Sequence, residues 1–327
     1  MLKPGDLVEV REPAEILATL DGDASCAGMP FMPEMLRLTG KRFTVSRRAE
    51  KICDTVSGEP PNSRRLHDTV LLEDLRCDGS GHGGCQAGCR IYWKEAWLRR
   101  VDAGAEPATQ NDDGLAELEE LTRGATRTQR DSGEGPVESY RCQATEALRA
   151  SDPMSNYDVR QYAREVKSGN VGIARLLRVA VRGAGQALSR GLHLPGIRRR
   201  LRLGGHRWRN PTTPTPARNE RTMQPGDMVE VRPPAEIAAS LDERGKTRGL
   251  WFDPPEQVPY CGGRYRVQDR VEQIIDERTG QMIQIPSDCL ILKGVVCTGE
   301  HSPGRWFCPR AMYPYWREAW LRRVDDA

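Results

Sequence analysis

At 327 residues the chain has room for about two domains, and a 38% hydrophobic share allows packed cores but only dilute ones. A net charge of +3 selects no partner class. The absence of any run of eighteen apolar residues excludes a membrane-spanning helix.

The charged N-terminal stretch "MLKPGDLVEVREPAEIL" has no apolar segment of signal-peptide length, so a cytoplasmic location is expected. In that compartment the ten cysteines are expected to be metal ligands or free thiols rather than disulfides.

In chain order, "DLVEV" alternates apolar and polar residues as a half-buried strand does. "PAEILATLD" has helical spacing through Ile16, Leu17 and Leu20, enough for one or two turns. "RFTVSRR" and "TVLLEDL" read as short strands, rich in β-branched residues and bounded by turn formers. The loop "RCDGSGHGGCQAGC" at 76–89 then concentrates three cysteines, one histidine and five glycines. "YWKEAWLRRVD" closes the segment.

Residues 104–137 are polar and turn-rich, as in a flexible linker holding at most one short acidic helix. Residues 138–209 read as a basic helical insert, and 210–222, with three prolines, as an extended tether. The first segment then returns. "PGDLVEVREPAEILATLD" at 4–21 matches "PGDMVEVRPPAEIAASLD" at 225–242 in 14 of 18 positions, and "YWKEAWLRRVD" matches "YWREAWLRRVD" at 315–325 in 10 of 11. Residues 1–103 and 223–327 are thus two copies of one domain sequence.

The fold expected is mainly β: two SH3-like small barrels joined by an α-helical basic insert. The "PGD-V-V" opening and the closing tryptophan before "WLRRV" resemble such barrels. With its paired repeats and helical insert, the chain also resembles a family of bacterial proteins to which no activity is attached, so no residue role carries over.

Four cysteines per copy suit one tetrahedral zinc each, since structural sites close at four ligands. The first copy offers Cys53, Cys77, Cys85 and Cys89 with His82. The second offers Cys261, Cys289, Cys297 and Cys308 with His301. Aligned strands match Cys77 with Cys297 and Cys85 with Cys308, whereas Cys53 faces Ile275, Cys89 faces Met312, Thr39 faces Cys261 and Thr69 faces Cys289. The sites are therefore expected either to draw ligands from different strands or to use the shared pair with a histidine. Buried free thiols, an iron–sulfur cluster and a catalytic metal with an open position are the alternatives. Gly79, Gly81 and Gly84 match a dinucleotide-binding spacing, but no strand–helix crossover surrounds them.

Residues 157–209 carry thirteen Arg or Lys against two acids. Arg175, Arg178 and Arg182 fall on one side of a helix, with Ile173, Leu177, Ala180, Ala184 and Leu188 opposite. Arg198, Arg199, Arg200, Arg202, Arg207, Trp208 and Arg209 follow. Such a segment docks on an anionic membrane surface, binds nucleic acid, or packs as an ordinary helix with solvated arginines. Trp93, Trp97, Trp316 and Trp320 are expected to seal cores, and the proline-flanked loops "MPFMPEML" and "LWFDPPEQV" to receive a protein or peptide.

The expected function is that of a non-enzymatic binding or scaffold protein with a structural zinc in each repeat, peripheral at an anionic surface. A metal-dependent enzyme with an open Cys/His site, or a nucleic-acid-binding protein, is the alternative.

Overall fold

The computed structural model describes residues 1–54, 56, 63–102, 104–105, 111–131, 136–155, 158–191, 222–301 and 306–324. Small antiparallel sheets with helices between them make up this part of the chain. It divides into two compact units, one of Met1–Leu176 with Gln273–Ile283 and Phe307–Arg310, the other of the remaining segments.

In the first unit, alternating Val8 and Val10 fill one face of the strand Leu7–Val10 and are fully buried. This strand pairs with Arg42–Arg48 (Val8 opposite Phe43) and with Leu98–Arg100 (Val10 opposite Leu98). Thr69–Leu72 and Trp93–Lys94 extend the sheet to five strands. Pairing among the described residues runs from Trp93–Lys94 to Leu98–Arg100 as an open order, without the closure expected of a barrel.

The second unit has a four-stranded sheet with the same registers: Val229 opposite Tyr265, and Val231 opposite Leu321. Both sheets shift register once on the long strand, between Val45 and Arg47 and between Val267 and Asp269. A β-bulge there increases the twist.

All four repeated tryptophans are completely buried, so they are core rather than a binding platform. Phe31 meets Trp97 edge to face with ring centroids 5.1 Å apart, and Phe252 meets Trp320 at 5.2 Å. The Trp97 indole N–H donates to Thr19 Oγ1 at 3.1 Å, and that of Trp320 to Thr247 Oγ1 at 3.0 Å. Phe31, Met32 and Met35 lie in the core, which removes most of "MPFMPEML" from any exposed peptide-binding loop, whereas Trp251 of the second copy is exposed.

The described residues of 104–137 hold more regular structure than their polarity suggests. Residues Leu115–Thr126 form an α-helix whose Leu118 is buried in the first unit's core, and Arg127–Asp131 pairs with Pro136–Tyr140. One apolar residue at the right helical position outweighs the polar composition around it.

The helix Arg160–Lys167 buries Glu165, and burial raises its carboxyl to about 7, with the amide of Asn170 opposing. The unfolded carboxyl titrates near 4.5. The folded protein therefore holds an extra proton between these values, and stability falls as pH rises through that window. Glu165→Gln is expected to flatten this slope and to add about 1–3 kcal/mol at pH 8. Urea unfolding at pH 5 and pH 8 measures both, and an unchanged slope would count against the buried carboxyl.

Candidate metal centre

The glycine-rich loop 76–89 is built around Cys77. The Cys77 N–H donates to the Cys89 carbonyl at 2.8 Å, and the amides of His82 and Gly84 both donate to the Gly79 carbonyl, at 3.0 and 2.9 Å. Gly79 has φ +72°, and a Cβ there would come within 2.1 Å of the Cys85 carbonyl oxygen, so only glycine fits. This fold-back returns His82 to Cys77, with His82 Nε2 3.5 Å from Cys77 Sγ.

The third member comes from elsewhere in the chain. Pro33 starts a 3-10 turn over Pro33–Leu38, which buries Met35 in the core and turns Glu34 inward. Cys77 Sγ donates to Glu34 Oε1 at 3.1 Å, and His82 Nδ1 lies 3.6 Å from the same oxygen. One donor atom from each of Glu34, Cys77 and His82 falls within 4.8 Å of the others. Among the described residues no other three Cys, His, Asp or Glu side chains converge so closely.

The group is buried, with Glu34 5% and His82 2% exposed. Glu34 Oε2 and His82 Nδ1 have no hydrogen-bond partner. A buried carboxylate oxygen and a buried ring nitrogen left without partners are costly, and a cation bound by this group would offset that cost. Burial, then the Glu34 charge, push the Cys77 thiol far above its ordinary range, while burial lowers the His82 imidazole against the pull of Glu34. The protein without metal thus presents a neutral imidazole and a protonated thiol. A metal must displace the thiol proton, so affinity falls as pH falls. Sulfur, nitrogen and oxygen donors together could hold a divalent transition metal.

The second copy treats its corresponding glutamate differently. Glu256 stands five residues before Cys261, as Glu34 does before Thr39. Its Oε2 accepts from the amides of Thr298 and Gly299 at 3.0 and 3.2 Å. The Cys297 N–H donates to the Met312 carbonyl at 2.7 Å, matching Cys77 and Cys89. Here the loop's own amides use the carboxylate that Glu34 leaves open. His301 is half-buried, and burial raises Cys261 and Cys289 to about 11 each.

The remaining expected ligands are distributed differently from one set per repeat. Within the first unit, Cys53 from one list and Cys308 from the other are in contact, the Cys53 N–H donating to Cys308 Sγ at 3.2 Å. Cys85 Sγ accepts from the Ile275 amide at 3.4 Å, and burial pushes Cys89 up to about 12. Glu34 is the candidate ligand that cysteine counting missed. Its signal was present in the sequence, as a lone carboxylate within the apolar run "MPFMPEML".

Of the basic insert, Arg175 and Arg178 are exposed on the helix Ile173–Gly191 and Arg182 is half-buried. Val179 packs inward, while Ile173, Leu177 and Val181 remain exposed. Arg198, Arg199, Arg200, Arg202, Arg207, Trp208 and Arg209 lie outside the described residues. Among the described residues no helix is long and apolar enough to cross a membrane.

Comparison with known proteins returns no match. No family model, curated protein or solved structure aligns with the chain.

Proposed function

We propose that the chain is a metal-centred binding protein in which Glu34, Cys77 and His82 hold one divalent ion, zinc on the donor set. The observation that carries this reading is the convergence of one donor atom each from Glu34, Cys77 and His82 within 4.8 Å, in a buried group where Glu34 Oε2 and His82 Nδ1 also lack hydrogen-bond partners. The ion would fix the otherwise glycine-rich loop and couple it to the 3-10 turn. Each copy is read as an SH3-like unit derived by duplication, which the shared registers and tryptophan cores support.

A second reading, a metal-dependent enzyme or accessory subunit, is favoured by the ligand count. Three protein ligands leave one position of a tetrahedral ion open. Metal content per chain tests the assignment: Cys77→Ser is expected to lose the ion, and Cys297→Ser to keep it. Equal loss in both would contradict a site confined to the first copy.

The helix Ile173–Gly191 is the proposed docking element on an anionic surface. Its exposed Ile173, Leu177 and Val181, beside exposed Arg175 and Arg178, support that role. Vesicles of phosphatidylserine and phosphatidylcholine are expected to bind the protein, and Leu177→Asp to weaken binding about tenfold. Unchanged binding of this variant would remove the helix from the surface.

A further inference from the structure

Cys53 and Cys308 stand 255 residues apart in sequence and touch inside the first unit. Their thiols are hydrogen-bonded to each other. Cys308 Sγ also accepts from two backbone amides, that of Cys53 at 3.2 Å and that of Arg310. Both residues are buried, Cys53 6% and Cys308 5% exposed. Amides aimed at a sulfur favour its thiolate, yet the Cys53 thiol and burial hold Cys308 well above its ordinary range. The pair therefore keeps its protons until a cation displaces them.

Lys51 supplies an independent observation. It is 1% exposed, and its Nζ has no hydrogen-bond partner. The ammonium lies over the Tyr162 ring, 5.4 Å from the centroid, and Phe307, next to Cys308 in sequence, meets the same ring edge to face at 6.3 Å. Burial pulls Lys51 down to about 8, while Cys308, Glu165 and Cys53 favour its charge. Glu165 is itself raised to about 7 by burial, so at neutral pH it offers only part of a counter-charge. The other buried cation here, Arg310, is paired with Glu277 at 2.6 Å. All of these residues belong to the first unit.

We propose that Cys53 and Cys308 form a second metal site, a two-coordinate bis-thiolate site for a soft monovalent ion, copper(I), with Lys51 as its counter-charge. Donor number and charge select the ion. Among the described residues no third Cys, His, Asp or Glu donor atom joins the pair within 4.8 Å, whereas structural zinc closes at four ligands. Thiolates select copper(I) by their softness, and two of them satisfy it. Binding exchanges protons for metal: one copper(I) and two thiols give a singly negative bis-thiolate and release two protons. The Lys51 ammonium brings that total to zero, and a divalent ion in the same place would leave a buried positive excess. The site is independent of the group at Glu34, Cys77 and His82.

The test is a copper(I) titration of the reduced full-length protein under nitrogen, in competition with the chromophoric chelator bathocuproine disulfonate. The first equivalent of copper is expected to be withheld from the chelator, in the unaltered protein and in Cys77→Ser alike. Cys53→Ser and Cys308→Ser are each expected to surrender it. Lys51→Met, which keeps both ligands and nearly the same volume, is expected to weaken retention about tenfold. X-ray absorption at the copper edge of the unaltered protein needs no variant to fold, and two sulfur neighbours without nitrogen or oxygen are expected. Copper lost entirely to the chelator, retention unchanged in both cysteine variants, or a shell of three or more ligands would overturn the site.

Discussion

Cys77→Ser and Glu34→Gln are each expected to lower the melting temperature of the metal-loaded protein by about 10 °C, and chelation of the unaltered protein to reproduce that loss. Each variant leaves a site with two ligands, and a ligand that binds only the folded state stabilises it in proportion to the logarithm of its saturation. With free metal a thousandfold above Kd, that contribution is about 4 kcal/mol, which in a unit of this size corresponds to several degrees per kcal/mol. Glu34→Gln is the more informative change. It keeps the volume and the core position of Met35 next to it, so a large effect reports on the carboxylate rather than on packing. Neither variant should respond further to chelator. Calorimetry with and without chelator reads all of these outcomes, and a chelator-insensitive unaltered protein would contradict the account. The second copy supplies the internal comparison: Glu256→Gln removes a carboxylate that accepts loop amides, so its cost should be the same with and without metal.

Trp97→Ala is expected to cost about 3–5 kcal/mol, the range for deleting a fully buried large side chain. Trp97 has no exposed surface, stacks edge to face on Phe31 and spends its indole N–H on Thr19. Truncation therefore opens a cavity and strands a hydroxyl acceptor at the same time. Trp97→Phe should recover more than half of the loss, because the ring contact with Phe31 survives and only the indole hydrogen bond disappears. The same pair of changes at Trp320 should behave alike, since Phe252 and Ser240 repeat the arrangement, with Thr247 as a second acceptor of the indole N–H. Urea midpoints followed by fluorescence measure these differences. A cost below 1 kcal/mol at either position would place these tryptophans at a surface.

The strands were legible because their apolar residues alternate in sequence with period two: Val8 and Val10, and Val229 and Val231, are buried as that spacing implies, although Glu9 between the first pair is buried as well. The tryptophan cores were legible from repetition. What stayed hidden depended on contacts between distant segments. Counting cysteines assigned Cys53 and Cys308 to separate sites, yet chain topology brings them into contact inside one unit. Cysteine number says how many ligands exist and nothing about which strands converge. Glu34 is hard to single out because a carboxylate next to proline has the sequence character of a solvent-facing loop residue. Only the burial of Met35 beside it, which fixes the turn, shows that it faces inward. The helix Leu115–Thr126 was hidden for a related reason. Its mean polarity is high, and its attachment to the core rests on Leu118.

X-ray absorption at the metal edge reads the proposed mixed-donor site of the first copy ligand by ligand. One sulfur at about 2.3 Å and a remaining shell of nitrogen and oxygen at about 2.0–2.1 Å are expected, with the sulfur lost in Cys77→Ser. A shell of four sulfurs, or one unchanged in that variant, would contradict it.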